Sequence, residues 1–210
     1  MTNPVIENIR LSLGRTAKTP VSPRPDIISP RQPEPVEAEI QRFLKELKAL
    51  SAVGQRLSPD SLAEAFKSLV AEQKIRKATV WETAYLKQLQ VGDRLRALGV
   101  DLISPHAEKH LLAQCDLGVT EADFILPETG TLGLRSSAEK PRAVSLLPHT
   151  HLVIVTPDAL RADLHQVFAE AKDSPYLVFI TGPSRTSDIE LTPTLGMHGP
   201  KYLCVWIVDL

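Results

Sequence analysis

The sequence predicts an α/β protein with a mostly parallel sheet, and two features carry that prediction. Between residues 36 and 112, helix-like and strand-like segments alternate, which is typical of parallel α/β units. In the second half, residues 152–155 form a continuous apolar run that ends at Thr156-Pro157, as in a strand buried on both faces. With 210 residues, of which 43% are apolar, the chain can form a sizeable core.

Residues 1–14 predict a short amphipathic helix. Pro4 suits the first helical position, and Gly14 suits the residue that follows the last turn. The apolar residues of one face are Val5, Ile6, Ile9 and Leu13. Because so short a helix is marginal in water, this face should dock on the chain's own core, on a second copy or on a partner. The sequence leaves these alternatives open.

Residues 15–36 predict an extended linker, and the main domain follows at 37–210. The prolines of this segment are Pro20, Pro23, Pro25, Pro30, Pro33 and Pro35. Proline lacks a backbone donor and fixes φ, which excludes a helix interior or a central strand. We therefore expect a semi-rigid spacer.

The main domain begins with an amphipathic helix whose apolar stripe runs from Ile40 to Leu50. The pattern then predicts a helix at 58–70, a strand at 77–81, a helix at 83–98, a strand at 100–103 and a helix at 105–112. The second half predicts strands at 118–119, 124–126, 131–134, 152–155, 176–180 and 203–208, with a helix at 160–171. The strand at 176–180 is expected to be buried on both faces, like that at 152–155.

Composition excludes several classes of protein. Lys and Arg number 24 against 25 Asp and Glu, so the net charge does not show the excess of basic residues that is typical of nucleic-acid-binding proteins. No apolar run approaches the ~20 residues of a membrane helix, and no signal-like apolar segment opens the sequence, which predicts a cytoplasmic protein without a membrane span. The 2 cysteines are too few for an iron–sulfur cluster, which takes about four thiolates, and they fit a reduced interior.

Three loops carry candidate chemistry, and we expect them at the carboxyl ends of strands, where ligands bind in open α/β sheets. The first is the turn at 127–131. Glu128 is the candidate catalytic residue, as a general base or nucleophile, and Thr129, Gly130 and Thr131 are candidate substrate contacts. A hairpin turn with a solvated Glu128 is the alternative.

The second loop, at 181–190, follows a predicted strand. Its hydroxyls, its backbone amides and a guanidinium are suited to hold a phosphate or carboxylate. The candidate anion-binding residues are Gly182, Ser184, Arg185, Thr186 and Asp188. Asp188 would repel an anion unless it pairs with Arg185, and a capped turn from Ser187 is the structural alternative.

The third loop, at 195–201, has a glycine on each side of His198. Such a turn lets backbone approach a ligand, His198 is a candidate catalytic acid or base, and Lys201 is a candidate anion contact. A surface histidine is the alternative. His149 and His151 could form a metal site with His198 and Glu128, but nothing in their spacing shows that they converge, and we predict no metal.

The motifs of the second half, in their order along the chain, resemble the LUD domain of lactate-utilisation proteins. The resemblance is carried by residues 118–120, 123–124, 128–131, 142, 144–148, 151, 181–190 and 195–201. Ser187 stands where the family usually has alanine, and Pro127 precedes the first turn where a small residue is expected. The resemblance covers roughly residues 115–210, and the earlier residues match only in general layout.

The resemblance implies a fold and a role. The fold would be a single three-layer α/β domain related to ribose-5-phosphate isomerase, glucosamine-6-phosphate deaminase and the CoA transferases. The role would be that of one subunit in a three-component complex that oxidises L-lactate, a small carboxylate substrate, to pyruvate. The iron–sulfur clusters would belong to the two other, cysteine-rich subunits, and this chain would bind no cofactor.

A second hypothesis is a stand-alone enzyme of the sugar-phosphate isomerase or CoA-transferase type. Glu128 would then act as the acid, base or nucleophile, and the 181–185 segment would hold an anionic group. A subunit should be inactive alone, whereas the stand-alone enzyme should bind sugar phosphates or CoA thioesters.

Overall fold

The computed structural model describes residues 4–15, 31–174, 176–186 and 194–209. The helices within them are α1 (Pro4–Ser12), α2 (Val36–Ala49), α3 (Leu62–Gln73), α4 (Ala84–Gln88), α5 (Val91–Ala97), α6 (Lys109–Leu112), α7 (Ala143–Leu146) and α8 (Leu164–Ala171). The strands are β1 (Val53–Leu57), β2 (Lys77–Val80), β3 (Asp101–Ile103), β4 (Leu117–Glu121), β5 (Phe124–Leu126), β6 (Thr131–Arg135), β7 (Thr150–Val155), β8 (Leu177–Thr181), β9 (Arg185–Thr186), β10 (Thr194–Leu195) and β11 (Tyr202–Val208).

Six of the described strands form a parallel sheet in the order β1-β11-β7-β4-β2-β3. This confirms the predicted fold class. β7 is buried along its whole length, and β11 is buried from Leu203 onward. Their continuous apolar sequences follow from this position, because a central parallel strand packs against a layer on each face.

The register of the parallel strands shows which elements cover each face. Gly54 is in register with Val205, which pairs with Val153. On this face, α2 lies over Gly54 and α7 lies over Gly118. On the opposite face, Trp206 meets Phe66 of α3 edge to face, with ring centroids 4.7 Å apart. The parallel sheet is thus the middle of three layers.

A second, antiparallel sheet of β5, β6 and β8 lies between the main core and α8. Ile125 and Leu132 belong to the main core. Phe124 and Leu126 instead pack with residues of α8 in a separate small cluster. Alternation along a strand explains this division, since successive side chains point to opposite faces.

The main domain is entered at Arg31, which is tied to two other elements. Its guanidinium donates to both carboxylate oxygens of Glu39 in α2 at 2.8 Å, and its Nε donates to the Ala162 carbonyl at 3.1 Å. Its backbone N–H donates to Asp163 at 2.9 Å. These bonds fix the point at which the chain that carries α1 joins the main domain.

Several predicted elements differ from the observed ones. The helix expected at 83–98 is divided into α4 and α5 at Gln90, whose φ of 54° is left-handed. The helix expected at 160–171 begins only at Leu164, where the Asp163 carboxylate caps it by accepting from the Gln166 N–H. Only residues 109–112 are helical within 105–112, and the sequence patterns did not predict β1 or α7. The prediction that the strand at 176–180 is buried on both faces is wrong, because β8 is partly exposed in the antiparallel sheet.

Three further expectations concern the cysteines, the first helix and membrane spans. Cys115 and Cys204 are buried free thiols, as expected for a reduced interior. None of the described residues of α1 is buried. Among the described helices, none has both the length and the apolar character needed to cross a membrane.

Candidate functional site

The first candidate loop forms the turn between β5 and β6. Gly130 has a φ of 63°, and the position of its missing Cβ lies 3.0 to 3.2 Å from atoms of Leu50 and Glu46 at the end of α2. A side chain there would be strained both by its backbone and by this contact, which explains the glycine. Glu128 and Thr129 are exposed at the tip of the turn.

Three threonine hydroxyls link this turn to β8. Thr129 Oγ1 lies 2.8 Å from Thr131 Oγ1, which lies 2.8 Å from Thr181 Oγ1. Each hydroxyl can both donate and accept, so the three form a continuous chain of hydrogen bonds. The chain joins the first candidate loop to the start of the second.

A cleft of about 620 Å³ opens beside Glu128. Its polar residues are Glu128, Thr129, Thr131, Asp163, His165 and Thr181. Its apolar residues are Leu126, Ala162, Leu164, Phe168 and Phe179. The turn contributes only polar residues to the cleft, whereas α8 and β8 contribute the large apolar side chains together with the polar His165 and Thr181.

The second and third candidate loops are joined by backbone hydrogen bonds. The Ser184 N–H donates to the Pro200 carbonyl at 3.0 Å, and the Ser184 carbonyl accepts from the Gly196 N–H at 3.0 Å. Gly182, with a φ of 81°, lies against Leu50. These contacts hold the two loops as one unit.

Behind this unit lies a smaller cavity of about 240 Å³. Its polar side chains are Ser145, His151, Thr181, Ser184 and His198. The backbone of Gly182 and Gly199 also lines it, and Leu146, Val178 and Leu203 contribute apolar surface. The cavity and the cleft share Thr181 and Phe179, so the two spaces are neighbours.

His151 is the most deeply buried of the polar groups around the cavity. Its side chain is 1% exposed, and its Nε2 lies 2.8 Å from the Thr120 hydroxyl. Burial lowers the pKa of His151 to about 3. The ring is therefore neutral near pH 7 and can offer a ligand an uncharged hydrogen-bonding group.

The structure places the predicted site residues in three different settings. Glu128, Thr129 and Thr131 line the cleft, and Gly182, Ser184 and His198 line the cavity. Arg185 donates from its guanidinium to the Leu50 carbonyl, Thr186 of β9 pairs with Thr194 of β10, and the Lys201 ammonium lies 5.6 Å from the centre of the Tyr202 ring. Asp188, and the turn expected from Ser187, lie outside the described residues.

The expectation that all three loops lie at the carboxyl ends of strands is wrong for the third, which precedes β11, whereas the first two follow β5 and β8 of the antiparallel sheet. The first two loops contact Leu50, just before β1, and the third reaches His149, just before β7, whose carbonyl accepts from the Lys201 N–H at 2.9 Å. All three therefore meet at the amino ends of the parallel strands. The reason is that β5 and β8 belong to the antiparallel sheet, whose strand directions the apolar pattern does not report.

Within the described part of the chain, no three His, Cys, Asp or Glu side chains are grouped as metal ligands. His151 lines the cavity with His198, whereas Glu128 lines the cleft, and His149 stacks edge-on against Tyr202 with centroids 5.2 Å apart. The four groups weighed for a metal site are thus divided among different surroundings.

Sequence reasoning missed several residues that line these spaces. Thr181 and Ser145 lie within motif segments but were not chosen, because nothing local distinguishes a lining hydroxyl from a solvated one. Phe168 and Phe179 face the cleft, with ring centroids 5.9 Å apart. From the sequence, an aromatic residue in a helix or a strand is predicted to belong to the core. Only the tertiary arrangement shows that both are partly exposed.

The fold and the site define a class: a three-layer α/β protein whose motif loops line a cavity and an adjoining cleft at the amino ends of its parallel strands. The family model of the LUD domain matches residues 40–208, and the chain belongs to the LUD domain family. This chain is 28% identical to Lactate utilization protein C of Halalkalibacterium halodurans over 221 aligned positions, which cover 97% of this chain and 96% of that protein. It is 27% identical to Lactate utilization protein C of Shouchella clausii, with 97% and 96% covered.

A solved structure supports the fold. The crystal structure of a DUF162 family protein from Deinococcus radiodurans aligns with a TM-score of 0.65 at 22% identity, covering 84% of this chain and 100% of that one. At this identity the likeness shows a shared architecture.

Proposed function

We propose that this chain serves L-lactate utilisation in the cytoplasm, as a non-redox subunit that holds a small carboxylate. The observation that carries the proposal is the convergence of the two joined loops on one cavity of about 240 Å³ lined by Ser184, His198 and His151. A cavity of this size suits a compact ligand of a few carbon atoms. Relatives named Lactate utilization protein C, which align over nearly the whole chain, support lactate or its oxidation product as that ligand.

The groups around the cavity divide into two kinds in this proposal. Ser184 and His198 donate hydrogen bonds to the ligand's carboxylate, while neutral His151 faces its uncharged hydroxyl or carbonyl. Glu128 lines the neighbouring cleft, and the threonine hydroxyl chain connects its turn to the cavity wall.

The redox cofactors belong to partner chains in this proposal. Burial raises the pKa of Cys115 and of Cys204 to about 11, so both thiols resist forming the thiolates that iron–sulfur clusters need. Two cysteine-rich subunits would carry the clusters and pass on the electrons.

Gentle purification of the tagged full chain from its own cells, grown on L-lactate, tests the partner part. We expect a brown eluate with cysteine-rich partners and lactate-dependent dye reduction, and an inactive chain after the partners are removed. A colourless single chain that shifts its melting temperature with sugar phosphates or CoA thioesters would instead establish the stand-alone enzyme.

A thermal-shift titration of the isolated chain with L-lactate and pyruvate tests the ligand part. A ligand at 100 times its Kd should stabilise the fold by about 2.7 kcal/mol, a shift of several degrees. Ser184→Ala and His198→Ala should remove the shift, and Ser137→Ala, on an exposed loop, should keep it. Equal shifts in all variants would place the ligand elsewhere.

A further inference from the structure

The short helix α1 presents an apolar stripe. Ile6 and Ile9 in α1, and Leu13 in the turn directly after it, are 49%, 54% and 61% exposed. They lie on one side of the helix, whereas Leu11 projects from the opposite side. Since a nine-residue helix is marginal in water, such a stripe needs a surface on which to dock.

The cleft beside Glu128 offers an apolar surface of matching character. Leu164, Phe168 and Phe179 are 45%, 55% and 38% exposed along its α8 side. Large apolar residues grouped in this way on a surface mark an interaction site more often than residues scattered singly. An amphipathic helix with anchors at i, i+3 and i+7 is one of the ligands that apolar grooves accept.

We propose that α1 of a second copy of this chain docks in this cleft, with the two copies exchanging their helices. In the single chain, every described residue of α1 and the three large cleft residues are exposed. Exchange of one identical element between two copies forms the same contact twice and closes a symmetric dimer.

The position and length of the linker favour exchange over docking within one chain. Residues 16–30 separate α1 from Arg31, which is bonded to Ala162 and Asp163 at the rim of the cleft. These fifteen residues can span about 50 Å when extended, enough to reach a neighbouring copy. With Pro20, Pro23, Pro25 and Pro30, the sequence of this segment predicts a semi-rigid spacer. A semi-rigid spacer favours a site at a distance over the cleft beside its own anchor.

Charge complementarity supports the same pairing. α1 and the residue after its last turn carry Arg10 and Arg15 against one acid, Glu7. The rim of the cleft carries Glu128 and Asp163, and the guanidinium of Arg31, at the same rim, is already paired with Glu39. Hydrogen bonds from backbone N–H groups, first that of Gln166, hold the pKa of Asp163 below its usual range. Basic helix and acidic rim attract each other, which steers the association.

After the exchange, each candidate site would include residues from both copies of the chain. The cleft wall that bears Glu128 and Thr129 would be covered by the partner's helix instead of water. This inference does not depend on which ligand the neighbouring cavity holds.

Sedimentation equilibrium of the full chain tests the inference. We expect a dimer for the wild type, and at least a tenfold weaker dimer for Ile9→Asp and for Phe168→Asp. Leu11→Asp, on the opposite side of α1, should dimerise like the wild type. Leu164→Asp provides a second cleft variant at the first residue of α8, where an acid is favourable for the helix.

Mixing the two variants distinguishes the exchange from other arrangements. Ile9→Asp retains an intact cleft and Phe168→Asp an intact α1, so their equimolar mixture should regain one contact and form a heterodimer. A mixture that stays monomeric, or a wild-type monomer, would overturn the inference. A monomer in which amide exchange shows α1 protected would assign α1 to its own cleft, and one with α1 unprotected would leave the stripe to a different protein.

Discussion

The imidazole of His151 shows how burial sets the chemistry of a single residue. It lies in β7 on the face covered by α7, beside Thr120 and the cavity. An unfolded histidine titrates near 6.5, whereas burial lowers the pKa of this one to about 3. Between those values the unfolded state binds a proton that the folded state does not.

Stability should therefore decrease as the pH falls below about 6.5, with a contribution from His151 of roughly 1 kcal/mol per pH unit. His151→Gln lacks this contribution, so its stability should fall less steeply between pH 6 and pH 4.5. Urea denaturation at each pH measures both slopes. Equal slopes for His151→Gln and the wild type would contradict the assignment.

The two thiols provide a second test at this scale. Because burial raises the pKa of Cys115 and of Cys204, both should react with iodoacetamide far more slowly in the native protein than in guanidinium chloride. Mass spectrometry of the alkylated protein counts the modified thiols. Rapid labelling of either thiol in the native protein would show that its element opens readily.

At the scale of elements, the contact between β4 and α7 depends on the absence of a side chain at Gly118. A Cβ at Gly118 would overlap the Val144 carbonyl and approach Pro148 to 2.8 Å. β4 and α7 can pack at this distance only because position 118 carries hydrogen alone.

Gly118→Ala should consequently lower the free energy of unfolding by about 1–3 kcal/mol, because the helix backbone must move away from the strand. Gly92→Ala, inside α5, is the matched control. Its new Cβ would lie 3.4 Å from its nearest neighbour, Leu102, which is an ordinary contact distance. There alanine should be neutral or stabilising, because it is the better helix former. Chemical denaturation of both variants measures the difference, and a Gly118→Ala protein as stable as the wild type would contradict the packing.

Elements with a pattern of their own could be predicted from the sequence, and those defined by their neighbours could not. α2 and β11 were found because a wide apolar stripe and a long apolar run each have one good interpretation. β8 was assigned to the wrong environment because Phe179 looks like a core residue, although it faces the cleft. The division of 83–98 falls at Gln90, whereas the glycine of this segment, Gly92, lies inside α5 and does not mark the break.

The sequence indicated which loops belong to the candidate site, but not where in the fold these loops meet. The 181–184 and 198–200 segments were named from their glycines and polar groups, and they do line one cavity. Glu128 and His198 were both candidate catalytic residues, and the structure puts Glu128 on the cleft and His198 on the neighbouring cavity. Which residues converge depends on strand direction in the second sheet, which no short segment encodes.

For the whole molecule, the main feature is its division into a large and a small apolar cluster. The large cluster includes β4, β7 and β11, whereas the small one holds Phe124, Leu126, Val167 and Ala171 between β5 and α8. Regions with few buried apolar contacts open at lower free energy than the global transition.

Native-state hydrogen exchange should therefore show α8 opening before β7 and β11. Val167→Ala should speed exchange in α8 and leave β7 nearly unchanged, because Val167 contacts only the small cluster. Val153→Ala, in the large cluster, should lower the protection of both regions. Identical opening energies for α8 and β7 would mean that the two clusters unfold together.

The place of β11 in the sheet has a consequence for how the protein is made. β1 pairs with β11, whose residues are synthesised roughly 150 residues later. At about 5–20 residues per second, a ribosome needs roughly 8–30 s to produce that interval. During this time β1 has left the exit tunnel without the strand it needs, and β7 also awaits its neighbour. The nascent chain must therefore hold exposed strand edges until translation nears Val208, a period in which chaperones should bind it.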